Sequence, residues 1–324
     1  MLFNDSRIAT PDLEEAIDRH PLTVPPGTSL LDVLTFMSQT LGPAKDIEST
    51  SKEESHLRPT RITCSSYVLV TQGTEVVGIF TERDIVRLTA MGKDFEGLKI
   101  AEVMTHPVIT LSEADLQDVF AALFLFRRYR IRHLVVVSAQ GQLAGVISPE
   151  SIRQVLRPAN LLKLRRVADV MTHPVIQALT TTAVLDLAQL MEEHRVSCVV
   201  ITKEDAEEQN LPIGIVTERD IVQFQSLRLD LALMKAETVM STPLCLLSPE
   251  DSLWTAHQQM QKRHVRRLVV TWNWGRDLGI VTQTSLLRIF DPMEMYGIIE
   301  TLQRTVQQLE AEKAERLKSE KEDV

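Results

Sequence analysis

The side chains best placed for chemistry lie in a hexapeptide that occurs twice. Thr-Glu-Arg-Asp-Ile-Val stands at residues 81–86 and again at 217–222, and each copy follows a glycine and two apolar residues. The threonine and the aspartate are three residues apart, which is the spacing of a capping box at a helix start. The same carboxylate could instead face a cleft and accept hydrogen bonds from the hydroxyl groups of a ligand, while the threonine and the helix N-terminus favour a phosphate. The motif alone favours the cap and leaves the ligand site open; the residues concerned are Thr81, Asp84, Thr217 and Asp220.

Two further regularities show that the chain contains internal repeats. Val-Met-Thr-His-Pro-Val occurs at residues 103–108 and 170–175, with a looser copy at 239–244. The glycine before the first motif recurs at positions 78, 145, 214 and 279. Self-similarity at a nearly fixed period is the signature of a repeat architecture. We therefore predict four repeats, at residues 17–92, 100–157, 167–227 and 236–290.

Each repeat is predicted to be a small α/β unit. A short extended segment comes first, then a stretch with apolar residues at helical spacing, then two β-rich runs and a second helix. Val68–Val70 and Leu134–Val137 are examples of the first β-rich run. A unit of this size buries too little apolar surface to be stable alone. Adjacent units should therefore pack sheet against sheet, repeat 1 with repeat 2 and repeat 3 with repeat 4.

The unit and its two motifs together resemble the CBS (cystathionine β-synthase) domain. The resemblance rests on the β-α-β-β-α order, on Val-Met-Thr-His-Pro at the start of the unit, and on Gly-Ile-Val-Thr-Glu-Arg-Asp at its end. It implies tandem pairs of repeats, called Bateman modules, that bind adenosine-containing ligands in the clefts between paired repeats. It also implies that Asp84 and Asp220 bind the ribose. Together with the resemblance, the motif therefore favours a ligand site over a helix cap.

A second set of residues varies together with the aspartate. Just before the middle strand, repeats 1 and 3 have small side chains, whereas repeats 2 and 4 have basic ones and lack the aspartate. A planar base can approach the backbone where side chains are small, and guanidinium groups bind phosphate in a fork geometry. We predict one main site per module, with adenosine on the odd repeat and the basic residues of the even repeat on its phosphates. The alternative is that the basic residues form a solvated strand end. The small set is Cys64-Ser65-Ser66, aligned with Val196-Ser197-Cys198, and the basic set is Arg132-His133 and Arg266-Arg267.

The even repeats carry hydroxyl groups where the odd repeats carry the aspartate motif. Repeat 2 has Ser148 and Ser151, and repeat 4 has Thr282 and Ser285. Ser148 is followed by a proline, which suits the first position of a helix. A hydroxyl holds a ribose more weakly than a carboxylate does, so these two sites are expected to be poor or empty.

The composition of the chain and the motifs that it lacks argue against several classes of protein. The 324 residues have a formal net charge of −9, whereas a duplex-binding protein usually shows a basic stripe, so nucleic acid is not expected as a partner. The three cysteines include no C-x-x-C pair, and a reducing compartment, the cytoplasm, is expected. Apolar runs are too short for a bilayer span, so no membrane partner is expected. The histidines lack metal-ligand spacing, and no nucleophile motif or phosphate loop is present, so we expect neither a metal site nor an enzyme.

Two segments fall outside the repeat pattern. Residues 42–61 form a polar insert in repeat 1 and are predicted to be a loop. Residues 293–324 begin with apolar side chains at alternating spacings of four and three, an a/d seam about two heptads long. The seam predicts a C-terminal helix, either a surface helix or a dimerising helix that leads to an output domain. The seam residues are Met295, Ile299, Leu302, Val306 and Leu309.

The sequence as a whole predicts a regulatory protein. Its ligand is expected to be an adenine nucleotide, AMP, ADP or ATP, with no separate cofactor. Its output is expected to be a C-terminal domain or a partner protein that responds to ligand occupancy, and the chain is expected to form a homodimer. The alternative function is a ligand-free CBS scaffold in which the repeats only mediate protein association.

Overall fold

The computed structural model describes residues 13–38, 65–116, 119–156, 159–204 and 210–290. The strands in these ranges are β1 Thr23–Val24, β2 Tyr67–Gln72, β3 Glu75–Thr81, β4 Thr110–Ser112, β5 Leu134–Val137, β6 Leu143–Ile147, β7 Gln177–Leu179, β8 Cys198–Glu204, β9 Asn210–Thr217, β10 Leu246–Leu247, β11 Arg267–Trp272 and β12 Asp277–Thr282. The α-helices are α1 Leu30–Ser38, α2 Glu82–Ala90, α3 Ile100–Val103, α4 Val119–Tyr129, α5 Pro149–Leu156, α6 Ala159–Leu164, α7 Val184–Glu193, α8 Glu218–Ser226, α9 Ala236–Val239 and α10 Leu253–Arg263. Short 3₁₀ helices lie at Leu13–Ala16, Glu113–Asp115, Val167–Asp169, Asn273–Gly275 and Ser285–Phe290. The predicted loop at 42–61 and the predicted helix at 293–324 lie outside the described residues.

Every repeat contains one three-stranded sheet with the same topology. In repeat 1, β1 is parallel to β2, and β2 is antiparallel to β3. The sheets β4–β6, β7–β9 and β10–β12 repeat this order. Parallel neighbours need a crossover, which α1, α4, α7 and α10 provide, whereas the antiparallel pair needs only a turn. The predicted β-α-β-β order and the α/β class are confirmed, although the last helix of repeat 4 is 3₁₀ (Ser285–Phe290) rather than α.

The N-terminal segment of each repeat lies against the sheet of its module partner. Thr105, at the start of repeat 2, pairs with Ile79 in β3 of repeat 1. Asp18, at the start of repeat 1, pairs with Val146 in β6 of repeat 2. Repeats 3 and 4 exchange their N-terminal segments in the same way. The exchange ties two repeats into one module, and each repeat gains buried surface that it could not provide alone.

This exchange explains a glycine that the sequence repeats. A Cβ on Gly78 would overlap the side chain of Met104, which belongs to the exchanged segment of repeat 2. Gly214 and Met240 meet in the same way between repeats 3 and 4. The glycine of one repeated motif and the methionine of the other are therefore two halves of one contact between repeats.

The two sheets of a module pack face to face. Leu69 of repeat 1 lies in one buried cluster with Val135 and Val146 of repeat 2. Val200 of repeat 3 is likewise buried against Val269 of repeat 4. These clusters confirm the predicted pairing of repeat 1 with repeat 2 and of repeat 3 with repeat 4.

Helices join the two modules to each other. In repeats 1 and 3, α1 and α2 contact α7 and α8. Val86 of α2 belongs to the apolar core of repeat 3, and Val222 of α8 belongs to that of repeat 1. Repeats 2 and 4 share a further apolar cluster that contains Phe126 of α4 and Met260 of α10. Each repeat thus touches one neighbour through its sheet and another through its helices, and the four repeats close into a ring.

Candidate functional site

The four repeats surround a cavity of about 560 Å³. Strand ends and helix starts line it, because in repeats 1, 2 and 4 the last strand turns into a helix at the cavity wall; repeat 3 contributes its N-terminal segment and the start of its middle strand instead. Most of the predicted site residues lie on its wall; of the described residues, Ser65, Ser151, Thr217, Asp220 and Ser285 are not part of the lining. The predicted residues on the wall are Ser66, Thr81, Asp84, Arg132, His133, Ser148, Val196, Ser197, Cys198, Arg266, Arg267 and Thr282.

Asp84 and Asp220 both form a capping box. At the start of α2, the backbone N–H and the hydroxyl of Thr81 donate to Asp84 Oδ2 over 2.9 and 2.7 Å. At the start of α8, the N–H and the hydroxyl of Thr217 donate to Asp220 Oδ2 over 2.7 and 2.9 Å. Each carboxylate therefore uses one oxygen for the cap and has a second oxygen that the cap does not need.

The second oxygen distinguishes the two aspartates. Asp84 Oδ1 accepts a hydrogen bond from the Thr105 hydroxyl at 3.2 Å and lies 3.2 Å from the Arg87 guanidinium. For Asp220, the hydrogen bonds from the described residues both end on Oδ2. Burial raises the pKa of Asp220, although Thr217 and the charge of nearby arginines act in the opposite direction. A hydrogen-bond donor on a ligand would stabilise the charged form of Asp220 and would therefore lower the pKa of its carboxyl group.

The even repeats build the same turn without a charge. The Ser148 N–H donates to Ser151 Oγ at 2.9 Å, and the Ser151 N–H donates to Ser148 Oγ at 3.1 Å. Thr282 and Ser285 make the equivalent pair of bonds at 3.2 and 3.1 Å. Because two hydroxyl groups suffice for the cap, the fold does not require a carboxylate at this position.

A buried glutamate of repeat 3 holds two arginines of the other module. Glu218 accepts hydrogen bonds from Arg132 Nη2 of repeat 2 at 2.7 Å and from Arg83 Nε of repeat 1 at 3.2 Å. The Glu218 side chain is only 1% exposed. Its charge is therefore balanced by groups that belong to repeats 1 and 2 rather than by its own module.

Glu82 of repeat 1 mirrors this arrangement. Arg266 Nη2 of repeat 4 donates to both carboxylate oxygens of Glu82, at 2.9 and 3.0 Å, and Arg219 Nε of repeat 3 donates at 3.3 Å. Burial acts to raise the pKa of Glu82, but Arg266 and Arg219 lower it below its ordinary value. We define the central ion-pair cluster as Glu82, Arg83, Arg132, Glu218, Arg219 and Arg266.

Two arginines that the sequence predicts as phosphate ligands belong to this cluster. Arg132 and Arg266 are each bound to a glutamate of the opposite module. A ligand phosphate would have to compete with that glutamate for the guanidinium, since carboxylate and phosphate oxygens both accept the paired N–H bonds of an arginine. The role of these arginines toward phosphate stays a prediction.

The strand register corrects the alignment of repeat 1. Tyr67 pairs with the motif threonine of repeat 1, and Cys198 pairs with that of repeat 3. Tyr67 rather than Ser66 is therefore the counterpart of Cys198. The predicted alignment of residues 64–66 with 196–198 is wrong by one residue. The corrected register aligns Ser66 with Ser197, so a small side chain is shared there, whereas the next position has Tyr67 in repeat 1 and Cys198 in repeat 3. The error arose because a long insert precedes β2, which left no constant spacing from the preceding helix.

His133 of repeat 2 is fixed against repeat 1. Its Nε2 lies 2.9 Å from Ser66 Oγ, and its ring lies on Tyr67 with ring centroids 4.3 Å apart. Burial, together with the positive charges of Arg132 and Arg266, lowers the pKa of His133 to about 3. The imidazole is therefore neutral at pH 7 and can offer a phosphate a hydrogen bond but no charge.

Arg267 takes in repeat 4 the position that His133 has in repeat 2. It is half-buried and lies on the cavity wall. Within the described ranges, no carboxylate forms an ion pair with its guanidinium. Its charge still acts on Asp220 and Cys198, where it lowers both pKa values against the larger, raising effect of burial. Arg267 thus presents to the cavity a charge that no direct ion pair with a described carboxylate neutralises, although this charge also helps to lower the pKa of Glu82.

Comparison with known proteins establishes the family. The model of the CBS domain matches residues 13–90, 100–158, 167–226 and 236–291, which together are most of the chain. The chain belongs to the CBS domain family. The resemblance inferred from the two repeated motifs is therefore confirmed, and each match contains one of the four sheets.

Known proteins resemble this chain in structure or in sequence. The structure of protein MJ1225 from Methanocaldococcus jannaschii matches with a TM-score of 0.69 and 18% sequence identity, over 87% of this chain and 100% of that one. Protein MK0525 from Methanopyrus kandleri is 30% identical over 144 residues, which are 44% of this chain and 71% of that protein. Protein MJ1404 from Methanocaldococcus jannaschii is 28% identical over 163 residues, 46% of this chain, and the chain spans only 37% of that protein.

Sequence reasoning missed the two residues between the motif threonine and aspartate. Glu82 and Arg83, like their counterparts in repeat 3, contribute to the central ion-pair cluster of the CBS ring. A signal was available, because the whole hexapeptide is identical in both odd repeats although a cap needs only its first and fourth residues. Arg130 and Arg195 on the cavity wall were also missed; both are exposed and have a φ of 52° just beyond α4 and α7.

Other kinds of site are not found in the described part of the chain. No group of three or more His, Cys, Asp and Glu side chains there is arranged to hold a metal ion. None of the helices in these ranges is both long enough and apolar enough to cross a membrane. Cys198 and Cys245 are free thiols.

Proposed function

We propose that this CBS protein is a regulatory sensor that binds adenine nucleotides, with the ribose on Asp84 and Asp220. The observation that carries the proposal is the contrast between the capping boxes. The even repeats make the cap with hydroxyl groups, whereas the odd repeats place a carboxylate there whose second oxygen the cap does not use. Burying a charge costs free energy unless it has partners. A ribose brings two hydroxyl donors; they would give Asp220 Oδ1 the partner that it lacks among the described residues, and at Asp84 they would join Thr105 and Arg87.

The cavity on whose wall Asp84 lies has a suitable size and charge for such a ligand. Its volume of about 560 Å³ lies within the range of about 300–1,000 Å³ that is usual for small-molecule sites. Cations are concentrated there although the chain has a net charge of −9, and a local positive field attracts anions. Six arginines against three carboxylates line it: Arg83, Arg130, Arg132, Arg195, Arg266 and Arg267 against Glu82, Asp84 and Glu150.

The nucleotide in this proposal is a signal and not a substrate. AMP, ADP and ATP are the candidate ligands, and the output is a C-terminal or partner protein that responds to occupancy in the cytoplasm. The chain works as a homodimer, which the apolar seam at the start of residues 293–324 supports. Light scattering that finds a monomer at micromolar concentrations would refute this last point.

The test is a thermal-shift screen with AMP, ADP, ATP and adenosine, followed by calorimetry on any ligand that stabilises the chain. A ligand at 100 times its dissociation constant should stabilise the fold by about 2.7 kcal/mol. The matched control is the double variant Asp84→Ser, Asp220→Ser, which copies the caps of the even repeats and should lose the stabilisation. If no member of the panel stabilises the wild-type chain, the ligand-free scaffold becomes the better description.

A further inference from the structure

The helix interface between repeats 2 and 4 contains a buried arginine. The side chain of Arg153, in α5 of repeat 2, is only 2% exposed. The equivalent positions of the other repeats, five residues after the threonine of the strand end, are aliphatic: Val86, Val222 and Leu287. All three lie in the apolar clusters that join like repeats. Because burying a charge costs free energy unless it has partners, an aliphatic side chain would pack at this position at a lower cost.

A histidine of the other module is the main partner of this arginine. Arg153 Nη1 lies 2.9 Å from Nδ1 of His257, in α10 of repeat 4. Glu150, one turn earlier in α5, approaches Nη2 only to 3.8 Å, and its own side chain is 49% exposed. The Nε of Arg153 is buried and has no hydrogen-bond partner in the part of the chain that the structure describes. The buried charge therefore depends mainly on one imidazole nitrogen.

This contact fixes the protonation state of the histidine. A guanidinium can only donate hydrogen bonds, so Nδ1 of His257 must be the acceptor and must carry no proton. Protonation of Nδ1 would remove the acceptor and place two positive charges next to each other. Burial and the charge of Arg153 both lower the pKa of His257, as this arrangement requires. His257 is only half-buried and can take up a proton from solvent, whereas Arg153 can reach solvent only if α5 moves.

The surrounding elements add further charges to this contact. The Trp254 ring lies 5.4 Å from the imidazole of His257, and Lys163 Nζ of α6 lies 5.5 Å from the centroid of the same tryptophan. Of the neighbouring charges, that of Arg153 acts most strongly on His257, so the pair itself determines the pH dependence. The charged groups on the elements that pack here are Glu14 and Glu15 of the first 3₁₀ helix, Glu150 and Arg153 of α5, Lys163 of α6, Lys262 and Arg263 of α10, Arg267 of β11 and Arg288 of the last 3₁₀ helix.

We propose that the hydrogen bond between Arg153 and His257 makes the helix contact between repeats 2 and 4 sensitive to pH, and that protonation of His257 opens this side of the ring. The apolar clusters within each module and between repeats 1 and 3 contain neither residue, so the opening is local. Glu150 at the start of α5 lies on the cavity wall, and a movement of α5 therefore also changes the cavity. The inference does not depend on the proposed function.

The experiment measures hydrogen–deuterium exchange on the full chain at pH 7.5 and pH 5.5, corrected for the intrinsic exchange rate at each pH. In the open form His257 has an ordinary pKa near 6.5, whereas the closed form excludes the proton. The open population should therefore rise by up to about 10-fold between the two pH values, and the protection of amides in α5 and α10 should fall by the same factor. The internal control is α2 and α8, which carry valine at the position of Arg153 and should change by less than about twofold.

Three variants assign the effect to the pair. His257→Gln keeps an oxygen that accepts from Arg153 but does not titrate, so α5 and α10 should stay protected at both pH values. Arg153→Leu gives repeat 2 the residue that repeat 4 has, Leu287, and should reduce the pH dependence, because no cation then opposes the protonation of His257. His194→Gln replaces an exposed histidine at the end of α7 and should leave the pH dependence as in the wild type.

The outcomes test this inference separately from nucleotide binding. Protection of α5 and α10 that does not change with pH in the wild type would overturn it, and so would an equal fall in the wild type and in His257→Gln. Should His257→Gln fail to fold, Arg153→Leu decides: a pH dependence as large as that of the wild type would show that the buried cation is not its cause. A chain that binds no nucleotide in calorimetry would reject the proposed function and leave these results unchanged.

Discussion

The odd and the even repeats make the same turn with different chemistry. All four have the same strand order, and in all four a residue at the helix start bonds back to the strand that precedes it. Asp84 and Asp220 accept that hydrogen bond with a carboxylate oxygen, whereas Ser151 and Ser285 accept it with a hydroxyl oxygen, at 2.9 and 3.2 Å. The geometry is therefore independent of the charge. The fold therefore does not require the carboxylate that the odd repeats carry at this position.

A second contrast concerns the groups that meet at the centre of the ring. The odd repeats supply the buried glutamates, and the even repeats supply the basic residues at the start of the middle strand. The ion pairs run across the ring: Glu218 of repeat 3 reaches Arg132 of repeat 2, and Glu82 of repeat 1 reaches Arg266 of repeat 4. Sheets join repeats within a module and helices join like repeats, and the ion pairs add diagonal links to these contacts.

The largest expected effect comes from breaking one diagonal link. Glu218→Gln gives repeat 3 the residue that repeat 4 has at the equivalent position, Gln283. It leaves Arg132 and Arg83 without their shared carboxylate. We expect a loss of about 2–3 kcal/mol in the free energy of unfolding, measured by urea denaturation, which is less than for a fully buried pair because both arginines keep some solvent contact.

An exposed ion pair of the same type is the control for this variant. Glu250 pairs with Arg166, and both side chains are mostly exposed, at 69% and 64%. Glu250→Gln should therefore change the free energy of unfolding by less than about 1 kcal/mol. If Glu218→Gln costs no more than Glu250→Gln, the diagonal links do not stabilise the ring, and the contrast between acidic and basic repeats has no structural meaning.

The next effect tests whether the aspartate charge serves binding or capping. Asp84→Ser and Asp220→Ser turn odd caps into even ones, so each should change the free energy of unfolding by less than about 1 kcal/mol. Nucleotide affinity should fall by roughly 10- to 150-fold, or about 1.5–3 kcal/mol, with the larger loss at Asp220. Denaturation and calorimetry on the same variants provide both quantities. If the variants are much less stable than the wild type but their folded fraction binds nucleotide with wild-type affinity, the carboxylate serves only as a helix cap.

Features that depend on neighbouring residues could be predicted from the sequence. The capping boxes span four residues, and the repeated hexapeptides together with the glycine spacing marked four units with one internal order. The pairing of adjacent units followed from the small size of each unit. These predictions required no knowledge of how the modules meet.

Features that depend on how the modules meet could not be predicted. Arg266 and Glu82 are 184 positions apart, and their contact exists only because α1 and α2 pack on α7 and α8. No periodicity in the sequence reports that packing. The sequence shows that repeat 4 has Arg267 where repeat 2 has His133. The consequence of this difference depends on the packing of His133 against Tyr67, and the one-residue alignment error left Tyr67 out of the predicted site.

The smallest expected effect sharpens the comparison between the two even repeats. The pKa of His133 is about 3 in the folded chain, because burial and the neighbouring Arg132 and Arg266 disfavour its charged form, with Glu218 acting weakly in the opposite sense. The unfolded chain, where the pKa is near 6.5, therefore binds more protons between about pH 6.5 and pH 3, and the free energy of unfolding decreases as the pH falls through this window.

His133→Gln removes this contribution and should lose less stability than the wild type between pH 7 and pH 5.5. The difference between the two chains should be about 1.3 kcal/mol, since at this site the unfolded chain binds roughly 0.2 of a proton more than the folded chain at pH 7 and roughly 0.9 more at pH 5.5. Urea denaturation at several pH values measures it, and the unchanged carboxylates and remaining histidines cancel in the comparison. Parallel pH profiles for both chains would mean that the pKa of His133 is not lowered in the folded protein. His133 would then become a cation below about pH 6.5, and the two even repeats would present the same sign of charge to the cavity at mildly acidic pH.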